Sequence, residues 1–287
     1  MGKTKIEWAT DVWNPITGCD PISPGCARCY AKRFAERFRG VPGHHFEHGF
    51  DLQLRPEVLD QPSHWKKPRR IFVCSMADLF HKDVPDEFIA QVFYRMALTP
   101  QHSFQVLTKR PERMSDWMAM FAETTFVTST EITWPLPNVW LGVSIENSRF
   151  AYRADILRQT LAAVRFVSAE PLLGPLDLAL DGISWLIVGG ESGPGARPMH
   201  PDWVRSLRDQ AATAGVAFLF KQWGEFVHTM PAEDRREPNL FVSDTGHVGT
   251  KEQALDLGWS AQGMWRVGKK AAGRELDGRT WDEYPHG

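Results

Sequence analysis

The chain has 287 residues, 43% of them hydrophobic and 24% charged, and a formal net charge of −2. That is the make-up of a water-soluble globular protein with room for a sizeable core, as one large barrel-like domain or two smaller ones, and it carries no global nucleic-acid signature. No secretory leader opens the chain and no run approaches the roughly 18 apolar residues of a membrane span, so a cytoplasmic protein with no membrane partner is expected.

Val12 to Thr17 reads as a short strand, interrupted by Asn14-Pro15, that delivers the loop from Gly18 to Tyr30. The loop holds three of the four cysteines, Cys19, Cys26 and Cys29. Where thiols stay reduced, such clustering marks a metal or cluster site rather than a disulfide framework. Gly18, Pro21, Pro24 and Gly25 fold the loop back, so that Cys19 can meet the Cys26/Cys29 pair. Three thiolates suit zinc or an iron–sulfur cluster. Zinc takes a fourth ligand, for which Cys74, His44, His45 and His48 are candidates, whereas a cluster on three cysteines keeps one iron open. The cysteines alone leave both choices standing.

Past the loop, Ala27, Tyr30, Phe34 and Phe38 recur at helical spacing among Lys32, Arg33, Glu36 and Arg37, with Gly40 as a stop, which predicts an amphipathic helix. Residues 40–68 are rich in Gly, Pro and His and read as an irregular excursion. Lys66, Lys67, Arg69 and Arg70 then form a basic cluster. From Arg70 a grammar repeats, in which a short apolar run ends in polar residues and leads into helical periodicity. Apolar runs start at Ile71, Phe104, Val139, Val164, Trp185 and Val216, with helices expected over 85–98, from Met114 to Phe121, through Ile156 to Leu161, and over 202–214. A loop is expected around 124–137.

Continuous apolar strands alternating with helices predict an α/β fold. Its expected form is a partial or complete β/α barrel of six to seven parallel strands, with a doubly wound open sheet as the alternative. In either, ligands gather at the carboxyl ends of the strands. Polar residues cluster at those ends: Ser75 and Asp78, Thr108 to Arg110, Ser144 with Glu146 and Asn147, Ser168 with Glu170, Glu191 with Ser192, and Lys221 with Gln222. Each single one is as well explained as a cap or a strand end. Glu146 and Glu170, however, are carboxylates in apolar surroundings that need a partner or a ligand, with Lys109, Arg110 or Lys221 as candidate cations. The last sixty residues change texture, with short strands near Phe226, over 241–248 and near Trp265, little helix, and a basic stretch over 268–274 without phosphate-loop spacing. Residues 1–223 are therefore expected to form the barrel, including the cysteine loop and the 40–68 excursion, and 224–287 an irregular β-rich extension packed on it.

Across nearly its whole length the chain resembles the phage Gp37/Gp68 family of radical-SAM-like proteins. The resemblance lies in Trp13-Asn14-Pro15, the three-cysteine segment from Gly18 to Ala31, Leu107-Thr108-Lys109-Arg110-Pro111, Ser168-Ala169-Glu170-Pro171-Leu172, Gly189-Gly190-Glu191-Ser192-Gly193 and Gly278-Arg279-Thr280-Trp281. It implies a [4Fe–4S] cluster on Cys19, Cys26 and Cys29, with S-adenosylmethionine on the open iron, an external electron donor, and hydrogen abstraction by a 5′-deoxyadenosyl radical. The cysteine spacing here, CxxxxxxCxxC, is longer than the common CxxxCxxC, and Arg28 stands where an aromatic residue usually precedes the last cysteine. Tyr30, just after it, is the candidate adenine-contacting ring. Strand-end position assigns Ser75, Lys109, Ser144, Glu146 and Ser168 to cofactor contact, and the Gly-Gly-Glu stretch adds Glu191. Glu170 and Lys221 are the candidate catalytic groups. Family context and the basic clusters over 66–70 and 269–274 suggest a nucleobase in DNA or RNA as substrate. The contrasting expectation is a non-catalytic, zinc-stabilised α/β binding protein.

Overall fold

A computed structural model describes residues 4, 6–124, 132–230 and 233–285. Residues 125–131 of the loop expected around 124–137 lie outside the described residues. Among the described residues the main sheet has seven strands: β1 (Asp11–Trp13), β4 (Arg70–Val73), β5 (Ser103–Thr108), β6 (Val139–Ser144), β7 (Val164–Ala169), β8 (Trp185–Gly189) and β9 (Ala217–Gln222). They lie side by side in sequence order. A doubly wound sheet would reverse its order at a switch point; this one does not, and its order is open, which makes the topology that of a partial β/α barrel. The chain divides into two compact units, Met1–Val143 with Asp155–Phe166, and Ser144–Ala154 with Val167–Gly287.

In the first unit β1, β4, β5 and β6 pair in parallel. The registers Phe72 with Gln105, Gln105 with Trp140, and Leu107 with Gly142 place these residues on one face of the sheet. Trp8 lies over that face, with its ring 4.6 Å from Phe72 and 6.4 Å from Phe166. Gly142 has to be bare there, because a Cβ would stand 2.4 Å from the Phe166 ring. Helix α2 (Asp86–Ala97) buries Phe88, Ile89, Val92, Phe93 and Met96. Helix α3 (Pro111–Ala122) starts on a proline, which is favourable where the N–H has no helical partner, and buries Met114, Trp117, Met118 and Phe121.

Asn14-Pro15 splits the expected first strand into β1 and a short β2 (Ile16–Thr17), and β2 pairs with β3 (Gln53–Leu54). Proline has no N–H to give a ladder, so the break falls there. The helix expected after the cysteine loop is also broken, into a 3₁₀ turn at Pro24–Arg28, helix α1 (Tyr30–Ala35) and a second 3₁₀ turn at Glu36–Phe38. Its buried side differs from the expected stripe. Ala31 and Ala35 are buried, together with Phe46 and Phe50 of the 40–68 excursion, while Tyr30 and Phe34 are 56% and 44% exposed.

The eight-residue helix α4 (Tyr152–Gln159) divides between the two units after Ala154; in the second unit β8 and β9 pair in parallel, with helix α5 (Pro201–Ala214) between them in the chain. His200 caps α5 by accepting the Asp202 N–H at its Nδ1 (3.2 Å), and Gly215, with φ +66°, ends it. The tail forms an antiparallel sheet from β10 (Phe226–Val227), β13 (Ala261–Arg266), β11 (Leu240–Ser243) and β12 (Val248–Gly249) in that order, and a hairpin of β14 (Glu275–Leu276) and β15 (Arg279–Thr280). Short helices at Lys251–Asp256 and Lys269–Ala272 add more helix than the tail's composition suggests. Indole N–H groups fix this tail: Trp185 donates to the Glu283 carbonyl (2.8 Å), Trp203 to Asp244 (2.6 Å) and Trp223 to Glu275 (2.8 Å). The tryptophans thus combine apolar bulk with one directed bond each.

Candidate functional site

The cysteine loop is set by backbone contacts that demand glycine at its entrance. Gly18 has φ +85°, and a Cβ there would lie 2.2 Å from the Asp51 carbonyl oxygen. Its N–H donates to the Met76 carbonyl, and that of Cys19 to Phe50. Cys26 and Cys29 follow on the 3₁₀ turn, where the Cys26 N–H caps back on Ser23 and the Cys29 N–H on Cys26. Cys19 and Cys29 rest against the Ala31, Ala35, Phe46 and Phe50 cluster, so the excursion is the floor of the loop.

Asp78 organises the other wall. Its Oδ1 accepts from the Thr108 hydroxyl (2.7 Å) and the Phe80 N–H (3.0 Å), and its Oδ2 from the Lys109 N–H (3.1 Å) and Arg110 (2.9 Å). Arg110 also donates to Cys19 Sγ (3.5 Å) and to the Asp20 carbonyl (3.1 Å). One guanidinium thus ties the first cysteine to the end of β5. Burial raises the Cys19 thiol to about 11, and Asp78 adds to the rise, while Arg110 opposes it. His81 fastens the same loop, with Nε2 3.1 Å from Asp20 Oδ2 and Nδ1 accepting the Asp83 N–H (3.3 Å). The Asp83 contact makes Nδ1 the acceptor and leaves the proton on Nε2, facing Asp20.

Tyr30 and Ser75 come together: the phenol donates to the Ser75 carbonyl (2.6 Å), and the Ser75 hydroxyl donates to Asn14 Oδ1 (3.1 Å). Cys74 lies apart in chemistry. It is buried, in a left-handed conformation (φ 59°), and burial keeps its thiol strongly protonated despite a hydrogen bond from the Ile16 N–H. His44 stacks on Phe38, and His45 on His44.

Three thiolates on one zinc, each at about 2.3 Å, stand roughly 3.8 Å apart. Among the described residues, the ligand atoms that close to within 4.8 Å of one another belong to Asp20, His81 and Asp83, not to the three cysteines. A four-iron cluster takes its thiolates on separate irons and needs a wider set. The donor set of three sulfurs, with Arg110 beside Cys19, fits an anionic cluster.

In the second unit Glu170 and Lys221, nominated together from the sequence, meet at 3.0 Å, and Ser168 donates to Glu170 Oε2 (3.4 Å). Gly189 makes room for this, because a Cβ would stand 2.4 Å from Glu170 Oε1. The pair is 14% and 18% exposed, so it is within reach of small molecules. Glu146 is sealed, and its partner is Arg153 (3.3 Å), which none of the candidate cations anticipated. Arg153 also donates to the Ser144 carbonyl (2.7 Å) and lies 4.4 Å from the Phe150 ring centre. Glu191 is held by Arg197, which donates to Oε1 (2.6 Å) and Oε2 (2.8 Å). Arg110 with Asp78, and Arg153, are the residues sequence reasoning did not single out for these roles. The Thr108-Lys109-Arg110-Pro111 motif was the signal for the first, and nothing local signals the second.

Fold and site define an α/β protein with a parallel sheet in sequential order and a three-cysteine loop braced by an Arg–Asp pair. A family model described as "Protein of unknown function (DUF5131)" matches residues 3–285, and the chain belongs to that family. No curated protein and no solved structure matches. Among the described residues no helix is long and apolar enough to cross a membrane.

Proposed function

We propose that the chain is a radical-SAM enzyme of the phage Gp37/Gp68 type, with Cys19, Cys26 and Cys29 holding a [4Fe–4S] cluster. The observation that supports the reading is the thiol set itself: three cysteines on one loop, with Cys74 a buried thiol apart from them and a guanidinium donating to Cys19. When bound, the cluster with S-adenosylmethionine supplies reductive cleavage and a 5′-deoxyadenosyl radical that takes a hydrogen atom from substrate.

The chain's own residues do the rest. Arg110 holds the Cys19 arm and counters the negative charge that three thiolates bring. Asp78 fixes Arg110 and the Lys109 backbone, which sets where the Lys109 side chain starts. Tyr30 stands beside Cys29 with its ring oriented by Ser75. In the second unit Glu170 and Lys221 form a pair able to hold or move a proton, Ser168 orients the carboxylate, and Arg197 fixes Glu191.

Anaerobic reconstitution with iron and sulfide tests the reading. The expected result is a brown protein with about four irons per chain, lost in Cys19→Ala, Cys26→Ala and Cys29→Ala, that cleaves S-adenosylmethionine when reduced. Glu170→Gln is expected to keep the iron and lose turnover on substrate by about a hundredfold or more. Tightly held zinc with no cluster uptake overturns the proposal in favour of a zinc-stabilised binding protein.

A further inference from the structure

The two basic clusters nominated from the sequence are partly spent on structure. Arg69 pairs with Asp11 and lies 4.7 Å over the Trp65 ring, and Arg274 pairs with Asp282. A third basic stretch lies beside the cysteines. From Arg28 to His45 the chain carries Arg28, Lys32, Arg33, Arg37 and Arg39, with Glu36 as the one acid; Arg39 is spent on Glu36 (2.6 Å) and on Asp51 (2.9 Å) beyond the stretch, which leaves four further cations against no further acid within it. The whole chain has 33 basic against 35 acidic residues, so this excess is local.

The same stretch exposes aromatic rings where a soluble helix would bury them. Tyr30 and Phe34, one turn apart on α1, face outward because Ala31 and Ala35 make the packed side. Phe34 meets Phe38 at 5.3 Å and 58° and the buried Phe46 edge-on at 5.8 Å, and Phe38, His44 and His45 gather round Phe46 too, with Phe38 on His44 at 4.0 Å and 13° and His44 on His45 at 4.5 Å and 24°. Phe38 and His44 are half-buried in this packing, which leaves Tyr30, Phe34 and His45 as the rings open to a ligand. Flat rings flanked by cations are what single-stranded nucleic acid uses, with bases on the rings and phosphates on Lys and Arg. An acidic protein partner would account for the cations and leave the open rings unexplained.

We infer that the α1 face, from Tyr30 through His45, is a docking surface for single-stranded DNA or RNA, which leads a nucleobase substrate to the cysteine loop. The substrate role rests on the cluster reading above; the binding does not, and is read without iron. The probe is a fluorescein-labelled oligo-dT or oligo-U of about 12 nucleotides, followed by anisotropy at a series of salt concentrations. The protein is expected to bind at low salt with a linear dependence of log affinity on log salt. Lys32→Gln with Arg37→Gln lowers the slope by about 1.4, since each cation contributes about 0.7 on single strands. Phe34→Ala weakens binding about tenfold, the low end for one lost base stack. Lys66→Gln with Lys67→Gln leaves both unchanged.

Absence of binding at low salt overturns the inference, as does binding that ignores both α1 variants or follows Lys66 and Lys67 instead. If the Lys32/Arg37 variant keeps its oligonucleotide affinity but slows reduction by a flavodoxin-type donor, the face docks an acidic protein and the nucleic-acid assignment falls. Binding through α1 in a protein that takes up no iron leaves this surface standing and removes the cluster reading alone.

Discussion

Replacing Asp78 with alanine should unseat the first cysteine before it unfolds the protein. The carboxylate is buried and accepts two backbone N–H groups, one hydroxyl and one guanidinium, all between 2.7 and 3.1 Å. Its loss leaves Arg110, 13% exposed, with Cys19 Sγ and the Asp20 carbonyl as its other partners. Breaking a buried ion pair costs about 3–5 kcal/mol, and partial rehydration of Arg110 places Asp78→Ala near 3. Asp78→Asn keeps an oxygen for the Thr108 hydroxyl and the Phe80 N–H but turns an amide donor toward Lys109 N and Arg110. It should cost about 1.5–3 kcal/mol. Urea unfolding of the iron-free protein, followed by tryptophan fluorescence, measures both. Removing both partners in Asp78→Ala/Arg110→Met should cost less than the sum of the single changes by at least about 1 kcal/mol. Strict additivity, or an Asp78→Ala midpoint equal to the wild type, would refute the claim that this pair braces the loop.

Cys74→Ala should keep the iron content of the reconstituted wild type, because the thiol is buried and protonated; loss of iron equal to that of Cys19→Ala would make Cys74 a ligand. Gly189→Ala puts a Cβ 2.4 Å from Glu170 Oε1, so Glu170 must leave Lys221; the expected cost is about 1–3 kcal/mol in urea, with folding retained. Gly190→Ala meets the Trp223 carbonyl at 2.0 Å, which cannot rotate away, and should lower soluble yield far more. Burial lowers the pKa of His200, whose neutral Nδ1 caps α5. The unfolded chain therefore takes the proton first, so this stability is present above about pH 6.5 and is lost as pH falls through the lower folded value. His200→Asn, which caps without titrating, should flatten part of the decline in urea midpoint between about pH 7 and 5, and an unchanged slope would refute the assignment.

Strand positions were legible because apolar runs bounded by polar residues are local signals. Ile71, Phe104, Val139, Val164, Trp185 and Val216 each open or adjoin a strand of the sheet. Polar strand ends were legible for the same reason, and Glu170 with Lys221 met as nominated although they are far apart in the chain. Partner choice was not legible where a nearer group intervened. Glu146 was matched on paper to Lys109, Arg110 or Lys221, yet Arg153 reaches it from the following helix and also binds the Ser144 carbonyl. Charge alone does not rank partners; geometry does.

The α1 segment shows what periodicity leaves undecided. Spacing reveals which side chains share a face, but not which face has a neighbour. Tyr30, Phe34 and Phe38 are the larger apolar set, and transfer free energy alone would bury them. The excursion decides otherwise: Phe46 and Phe50 fill the space beneath the helix, and only the small side chains Ala31 and Ala35 allow so close an approach. Tyr30 and Phe34 are left outward, near Cys29 and among the cations, while Phe38 packs against the cluster. A helix that keeps its alanines inside and its aromatics outside forgoes apolar burial, and a ligand that covers those rings recovers it.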